Sequence, residues 1–166
     1  MDALAGLAPT ADAYARLPVG DAFTWAACSP SIAPGEWYLV AFRSTIRPEA
    51  DLDLLRRYDD QAHAEASDAP GFVHYYKGPL AADGSCLSFC LWTSRAEARA
   101  SAGRPAHRAA VTLISQMYAE YTLEFIRLRK RSTKAALEFA PYDAARPPAV
   151  RPAMSPAALG FSPAAS

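Results

Sequence analysis

Seven residues in this chain have a type and spacing that could carry chemistry. They are Ser88, Cys90 and Trp92 on one short apolar segment, His74 and Tyr76 on another, and Arg43 and His107. A serine hydroxyl can donate to a carbonyl or an oxyanion. Ser88 and Trp92, four apart on a strand, share one face. His74 and Tyr76 share a face of their own strand. A histidine acts as a base when a substrate proton lies within hydrogen-bond reach and its pKa is near the working pH; otherwise it is a satisfied core or interface residue. Arg43 is a charge inside an apolar strand. It is expected either to pair with Glu124 across the sheet or to reach a ligand anion. Trp92 is expected to be a wall, since Trp and Tyr offer a wide apolar face with one polar handle, which suits flat aromatic ligands. His63 follows Asp59 by one helical turn and reads as half of a surface pair. No Ser-His-Asp order, phosphate-cradling glycine loop or glycosidase-like carboxylate pair is visible.

The elements that must position these residues follow from periodicity. Residues 36–46 alternate Tyr38, Val40 and Phe42 with Trp37, Leu39 and Ala41, a strand apolar on both faces. Pro48 suits a first helical position, with Glu49, Asp51 and Asp53 near the positive end of the helix dipole. Leu54, Leu55, Tyr58 and Ala62 form the stripe of that helix, which should end near Ser67. Residues 72–77 and 85–92 read as an antiparallel hairpin, with Asp83-Gly84 as its turn signal. Ser94-Arg95-Ala96-Glu97 matches a capping box. A further helix is expected from about 106 to 119, and a last strand over 121–131. The resulting order, β-α-β-β-α-β, is that of a ferredoxin-like α+β fold: a four-stranded antiparallel sheet with helices on one face.

Around this unit (34–131) lie an Ala- and Pro-rich extension (1–33) and a Pro/Ala-rich tail (132–166). Phe23 and Trp25 in the extension are expected to pack back onto the core. The chain has 166 residues, 17 basic and 17 acidic, so no strong field draws it to nucleic acid or an acidic membrane. The one dense basic run, Arg127, Arg129, Lys130 and Arg131, reads as a solvated strand end. Cys86 and Cys90 would have Cα atoms ~13 Å apart on a strand, too far to bridge. Three cysteines in no zinc-like spacing fit small core residues in a reducing cytoplasm, with no metal or cofactor expected. Neither a secretory signal nor a membrane-spanning run is evident.

Residues 36–131 resemble the dimeric α/β-barrel superfamily, and within it the antibiotic-biosynthesis-monooxygenase-like (ABM-like) group. The resemblance rests on the four-strand order, on Leu87-Ser88-Phe89-Cys90-Leu91-Trp92, on the Ser94-Arg95-Ala96-Glu97-Ala98 that follows, and on Pro105-Ala106-His107 at a helix start. It implies a homodimer whose sheets face each other, and a pocket between each sheet and its own helices. Members include cofactor-independent monooxygenases of aromatic polyketides and haem-degrading monooxygenases. In the polyketide oxidisers an Asn stands four residues before the strand-end Trp and a Tyr about six after it; here those positions are Ser88 and Ala98. For an activity of that kind the resemblance implies His74 or His107 as base, Ser88 and Arg43 as anion stabilisers, and Trp92, Tyr76 and Cys90 as substrate contacts. The alternative is a non-catalytic, dimeric ligand-binding or accessory protein.

Dimerisation also has a warrant in the pattern itself. A sheet apolar on both faces with one helical layer needs a second cover. A symmetry mate supplies it most simply; residues 1–33 could supply it in cis.

Overall fold

A computed structural model describes residues 3–143. The strands are β1 (Gly35–Ile46), β2 (Phe72–Tyr76), β3 (Ser85–Trp92), β4 (Tyr118–Lys130) and β5 (Glu138–Pro141). The helices are α1 (Val19–Ala22), α2 (Trp25–Cys28), α3 (Leu52–Ser67), α4 (Arg95–Ala102), α5 (Pro105–Val111) and α6 (Ile114–Met117). The sheet is antiparallel, in the order β2-β3-β1-β4-β5. Its first four strands have the expected ferredoxin-like arrangement. Among the described residues the sheet has five strands rather than four, because Glu138–Pro141 pairs with the outer edge of β4. That strand is short and lies at the start of the stretch assigned to the tail. The remainder of the expected tail, from residue 144, lies outside the described residues.

Local chemistry explains most boundaries. The Ser94 hydroxyl accepts from the Glu97 amide at 3.3 Å, so the expected N-cap opens α4; the Glu97 carboxylate accepts from the Ser94 hydroxyl at 2.8 Å and from the Thr93 hydroxyl, in place of the Ser94 backbone amide that a capping box uses. The long helix starts later than expected. Leu52, not Pro48, is its first residue, and the carboxylate of Asp51 before it accepts from the Leu54 amide at 2.9 Å. The helix expected over 106–119 breaks after Val111, and β4 begins already at Tyr118.

The two sheet faces have different covers. Leu39 and Ala41 of β1, and Leu87, Phe89 and Leu91 of β3, point to a core shared with residues 3–33. Phe23 (2% exposed) and Trp25 (4%) lie in that core, as expected. The Phe23 ring stands 4.9 Å from Tyr76 and 5.5 Å from Phe89. The second cover of the sheet is therefore the chain's own N-terminal segment, and the face expected to receive a second subunit is already filled.

Polar staples hold this cover down. Arg43 pairs with Glu124, as one reading anticipated, and also donates to the carbonyls of Ala15 and Leu17, the latter at 2.6 Å. Tyr14 donates to the Pro79 carbonyl at 2.6 Å. Lys130 is 1% exposed and donates to the carbonyls of Ser29 and Ile32, the latter at 2.7 Å. The basic run is thus not a solvated strand end throughout: Lys130 is buried, Arg127 and Arg129 flank Glu36, and Arg131 pairs with Glu138. A buried ammonium with only water to lose is costly, and two carbonyl acceptors offset that cost.

Candidate functional site

On the other face of the sheet, α3 to α6 do not close down on the strands. They leave an open cavity of about 600 Å³. Its floor is the alternate set of strand residues: Tyr38, Val40 and Phe42 of β1, and Cys86, Ser88, Cys90 and Trp92 of β3. Its roof is the inner stripe of α3, in which Leu55, Tyr58, Asp59 and Ala62 recur at helical spacing, with His107 and Ala110 of α5. Leu52, Leu80, Val111, Leu123 and Phe125 line its mouth and are each 42–53% exposed.

Four of the seven residues expected to do chemistry meet here: Ser88, Cys90, Trp92 and His107. Trp92 is 4% exposed and meets Phe72 edge-on at 5.4 Å, so it forms a rigid wall. Ser88 accepts from the Gly78 amide at 3.0 Å and has the Cys86 sulfur at 3.5 Å. Gly78 is required there, because a Cβ would run into the Leu87 carbonyl and the Tyr14 hydroxyl. Cys90 is half-buried at the cavity wall, and the apolar groups around it push its thiol up to about 12, so it stays neutral. Burial lowers the His107 pKa, and nearby Glu65 opposes this. Glu65 also accepts from the backbone amides of Ala106 and His107 at 3.1 and 3.2 Å, which pins the start of α5 to α3.

Arg43, His74 and Tyr76 lie on the opposite face and do not line the cavity. Arg43 is committed to Glu124 and the N-terminal cover. Tyr76 is stacked on Phe89 at 5.4 Å, and His74 stands 6.2 Å from the same ring. Two physical reasons account for this. Arg43 has odd parity on β1, whereas the cavity takes the even residues. A register shift between Phe72 and His74 then changes the parity of β2, so Phe72 and Tyr75 face the helices while His74 and Tyr76 face the cover.

The cavity also contains groups for which the sequence suggested no chemistry. The Tyr75 hydroxyl donates to Asp59 at 2.7 Å, and Lys77 stands 2.6 Å from the same carboxylate. Asp59 is therefore not in a surface pair with His63, whose ring packs 4.8 Å from Tyr75 instead. Burial first, and Asp59 second, raise the Tyr75 pKa; burial pushes Tyr118 up to about 12 and raises Tyr121 too. All three remain neutral phenols. Asp59 was legible in principle, since it falls one turn after Leu55 on the buried stripe. Among the described residues no His, Cys, Asp and Glu cluster is arranged to hold a metal ion, and no helix is long and apolar enough to cross a membrane.

A βαββαβ sheet with its cavity between strands and helices gives this chain a ferredoxin-like fold. A protein from Nitrosomonas europaea, described provisionally as an antibiotic biosynthesis monooxygenase, superposes with a TM-score of 0.50 at 11% identity, over 58% of this chain and 91% of its own. SnoaB, a cofactor-independent oxygenase from Streptomyces nogalater, gives a TM-score of 0.45 at 17% identity, over 59% of this chain and 95% of its own. At 11% identity the likeness to the Nitrosomonas protein is one of fold alone. The chain belongs to the PB2B2.08-like family, whose profile matches residues 1–141. It is 31% identical over 93 residues to the UPF0643 protein PB2B2.08 of Schizosaccharomyces pombe, a match covering 52% of this chain. The match spans about two fifths (42%) of that curated relative's length.

Proposed function

We propose that the cavity binds a flat aromatic, polyketide-like molecule and that the protein acts on it as a cofactor-independent monooxygenase. The observation that carries this reading is the open cavity of about 600 Å³, walled by Trp92 and lined by phenols and His107. That size lies within the ~300–1,000 Å³ of ordinary small-molecule sites. His107 is the base in this reading, since its neutral imidazole is the form that can accept a proton. Ser88 and Cys90 contact the substrate beside Trp92. The deprotonated substrate supplies the electrons to dioxygen; one oxygen atom enters the ring system and the other leaves as water. No further redox partner is needed for that balance.

The N-terminal cover argues for the single chain as the working unit. A barrel-type homodimer would have to displace the core that Phe23 and Trp25 build against Phe89. Three cysteines in no zinc-like spacing support a reducing compartment, and the zero net charge supports a small-molecule partner over nucleic acid.

A second reading, binding without catalysis, is favoured by one feature. Several polar groups of the cavity already satisfy each other: Ser88 with the Gly78 amide, and Tyr75 and Lys77 with Asp59. Thermal shift with anthrone, 1,2-dihydroxyanthraquinone and haem, followed by oxygen uptake with anthrone, separates the readings. A ligand that binds only the folded state raises Tm. Oxygen uptake that falls by about 10²-fold or more in His107→Ala supports the enzyme. A shift without uptake supports the binding protein, and no shift at all removes the aromatic-ligand reading.

A further inference from the structure

The cavity is not electrically neutral, although the chain is. Arg56, Lys77, Arg95 and Arg99 contribute to its lining, against Asp59 as the one carboxylate among the described lining residues. Three of these cations have acidic neighbours: Asp53 lies 3.2 Å from Arg56, Asp59 2.6 Å from Lys77, and Asp143 3.1 Å from Arg95. Arg99 has no ion pair among the described residues. It follows Arg95 by four positions on α4, so the two stems leave the same helix face. The Nε of Arg95 is buried and has no hydrogen-bond partner among the described residues.

The surroundings of this pair are aromatic. Trp92 and Tyr38 line the cavity with the two arginines. The Tyr38 ring lies parallel to Phe125 at 6.1 Å and meets Tyr142 edge-on at 4.6 Å. Arg95 stands 5.4 Å over the Tyr142 ring. A phenol already sits in the field of both cations. Burial raises the Tyr38 pKa, and Arg95 and then Arg99 pull it back down. A second hydroxyl brought into this corner would feel the same pull toward its anion.

We propose that the cavity takes its aromatic ligand as an oxyanion, a phenolate or aryl carboxylate, with the negative oxygen set against Arg95 and Arg99. This rests on the reading that the cavity binds an aromatic molecule. It gives α4 the charge role that the sequence suggested for Arg43, which is spent on the opposite face.

The probe is 1,2-dihydroxyanthraquinone, whose neutral and monoanionic forms differ in colour. Its ionisation is followed spectrophotometrically, free and bound to the full-length protein. The bound dye is expected to ionise at a pH lower by about one unit or more, as for an acid beside an opposite charge. Arg99→Gln should remove much of that shift, Arg95→Gln/Arg99→Gln should remove the rest, and Arg99→Lys should retain most of it. Arg99 is exposed and holds no partner among the described residues, so its replacement leaves folding intact. Arg108→Gln, an exposed α5 arginine outside the lining, should change nothing. A bound dye that ionises at the same or higher pH than the free dye, or a shift that survives the double variant, overturns the proposal while the aromatic-ligand reading stands. Failure of the dye to bind in either ionisation state overturns both.

Discussion

Replacing Phe23 by alanine tests whether the N-terminal segment is part of the core or only rests on it. The side chain is 2% exposed, and its ring meets Tyr14, Trp25, Tyr76 and Phe89 at centroid distances of 5.6, 5.9, 4.9 and 5.5 Å. Removing a fully buried Phe side chain costs about 3–5 kcal/mol, more when the site cannot collapse. Tyr76 and Phe89 belong to paired strands, so this floor cannot move inward to fill the void. The expected loss is therefore toward the upper half, about 4 kcal/mol, against a total stability on the order of 5–15 kcal/mol. With a urea m-value of about 2 kcal/mol per M, the midpoint should fall by about 2 M. Urea unfolding followed by circular dichroism measures this. A loss below about 1 kcal/mol, the ordinary effect of a surface substitution or little more, would mean that residues 3–33 do not cover the sheet. The second face would then need another partner, and the barrel-type homodimer would return.

Two further outcomes follow from the same structure. Sedimentation velocity at micromolar concentration should give one species with the mass of a single chain; a dimer whose association exposes or displaces the N-terminal segment would contradict the cis cover. Alkaline pH should destabilise the protein. The folded-state pKa values of Cys90 and Tyr118 are raised to about 12, above ordinary values of 9.0 and 10.0. Their stabilising contribution is complete below pH 9 and is lost as pH rises toward 12, because the unfolded chain releases these protons first. Urea midpoints should fall between pH 9 and 11, and less steeply in Cys90→Ser; a flat wild-type profile over that span would mean these groups are not desolvated.

Much of the frame was readable from the chain. The strand 85–92, the Ser94 N-cap and the hairpin before it are local matters, settled by alternation, turn residues and one side-chain hydrogen bond to the Glu97 amide. So is the amphipathic stripe of α3, and with it a helical layer over one sheet face. Trp92, Ser88 and Cys90 could be placed on one face because strand parity is a local property. The later start of α3 and the break after Val111 were not readable, since a proline, an acidic turn and an alanine-rich run each allow more than one boundary.

What remained open was which face is which. Parity says that Leu39 and Ala41 lie opposite Tyr38, Val40 and Phe42; in a strand apolar on both sides it does not say which set meets helices. Packing decided that, and so sent Arg43 to the N-terminal carbonyls and left Arg95 and Arg99 beside the cavity. A one-residue irregularity in β2 turned His74 and Tyr76 away from it, and no sequence pattern marks such a bulge. The origin of the second cover, another molecule or residues 3–33, was likewise a matter of long-range contact. Alternation constrains a residue against its neighbours along the chain, whereas burial depends on which distant segment packs against it and excludes water.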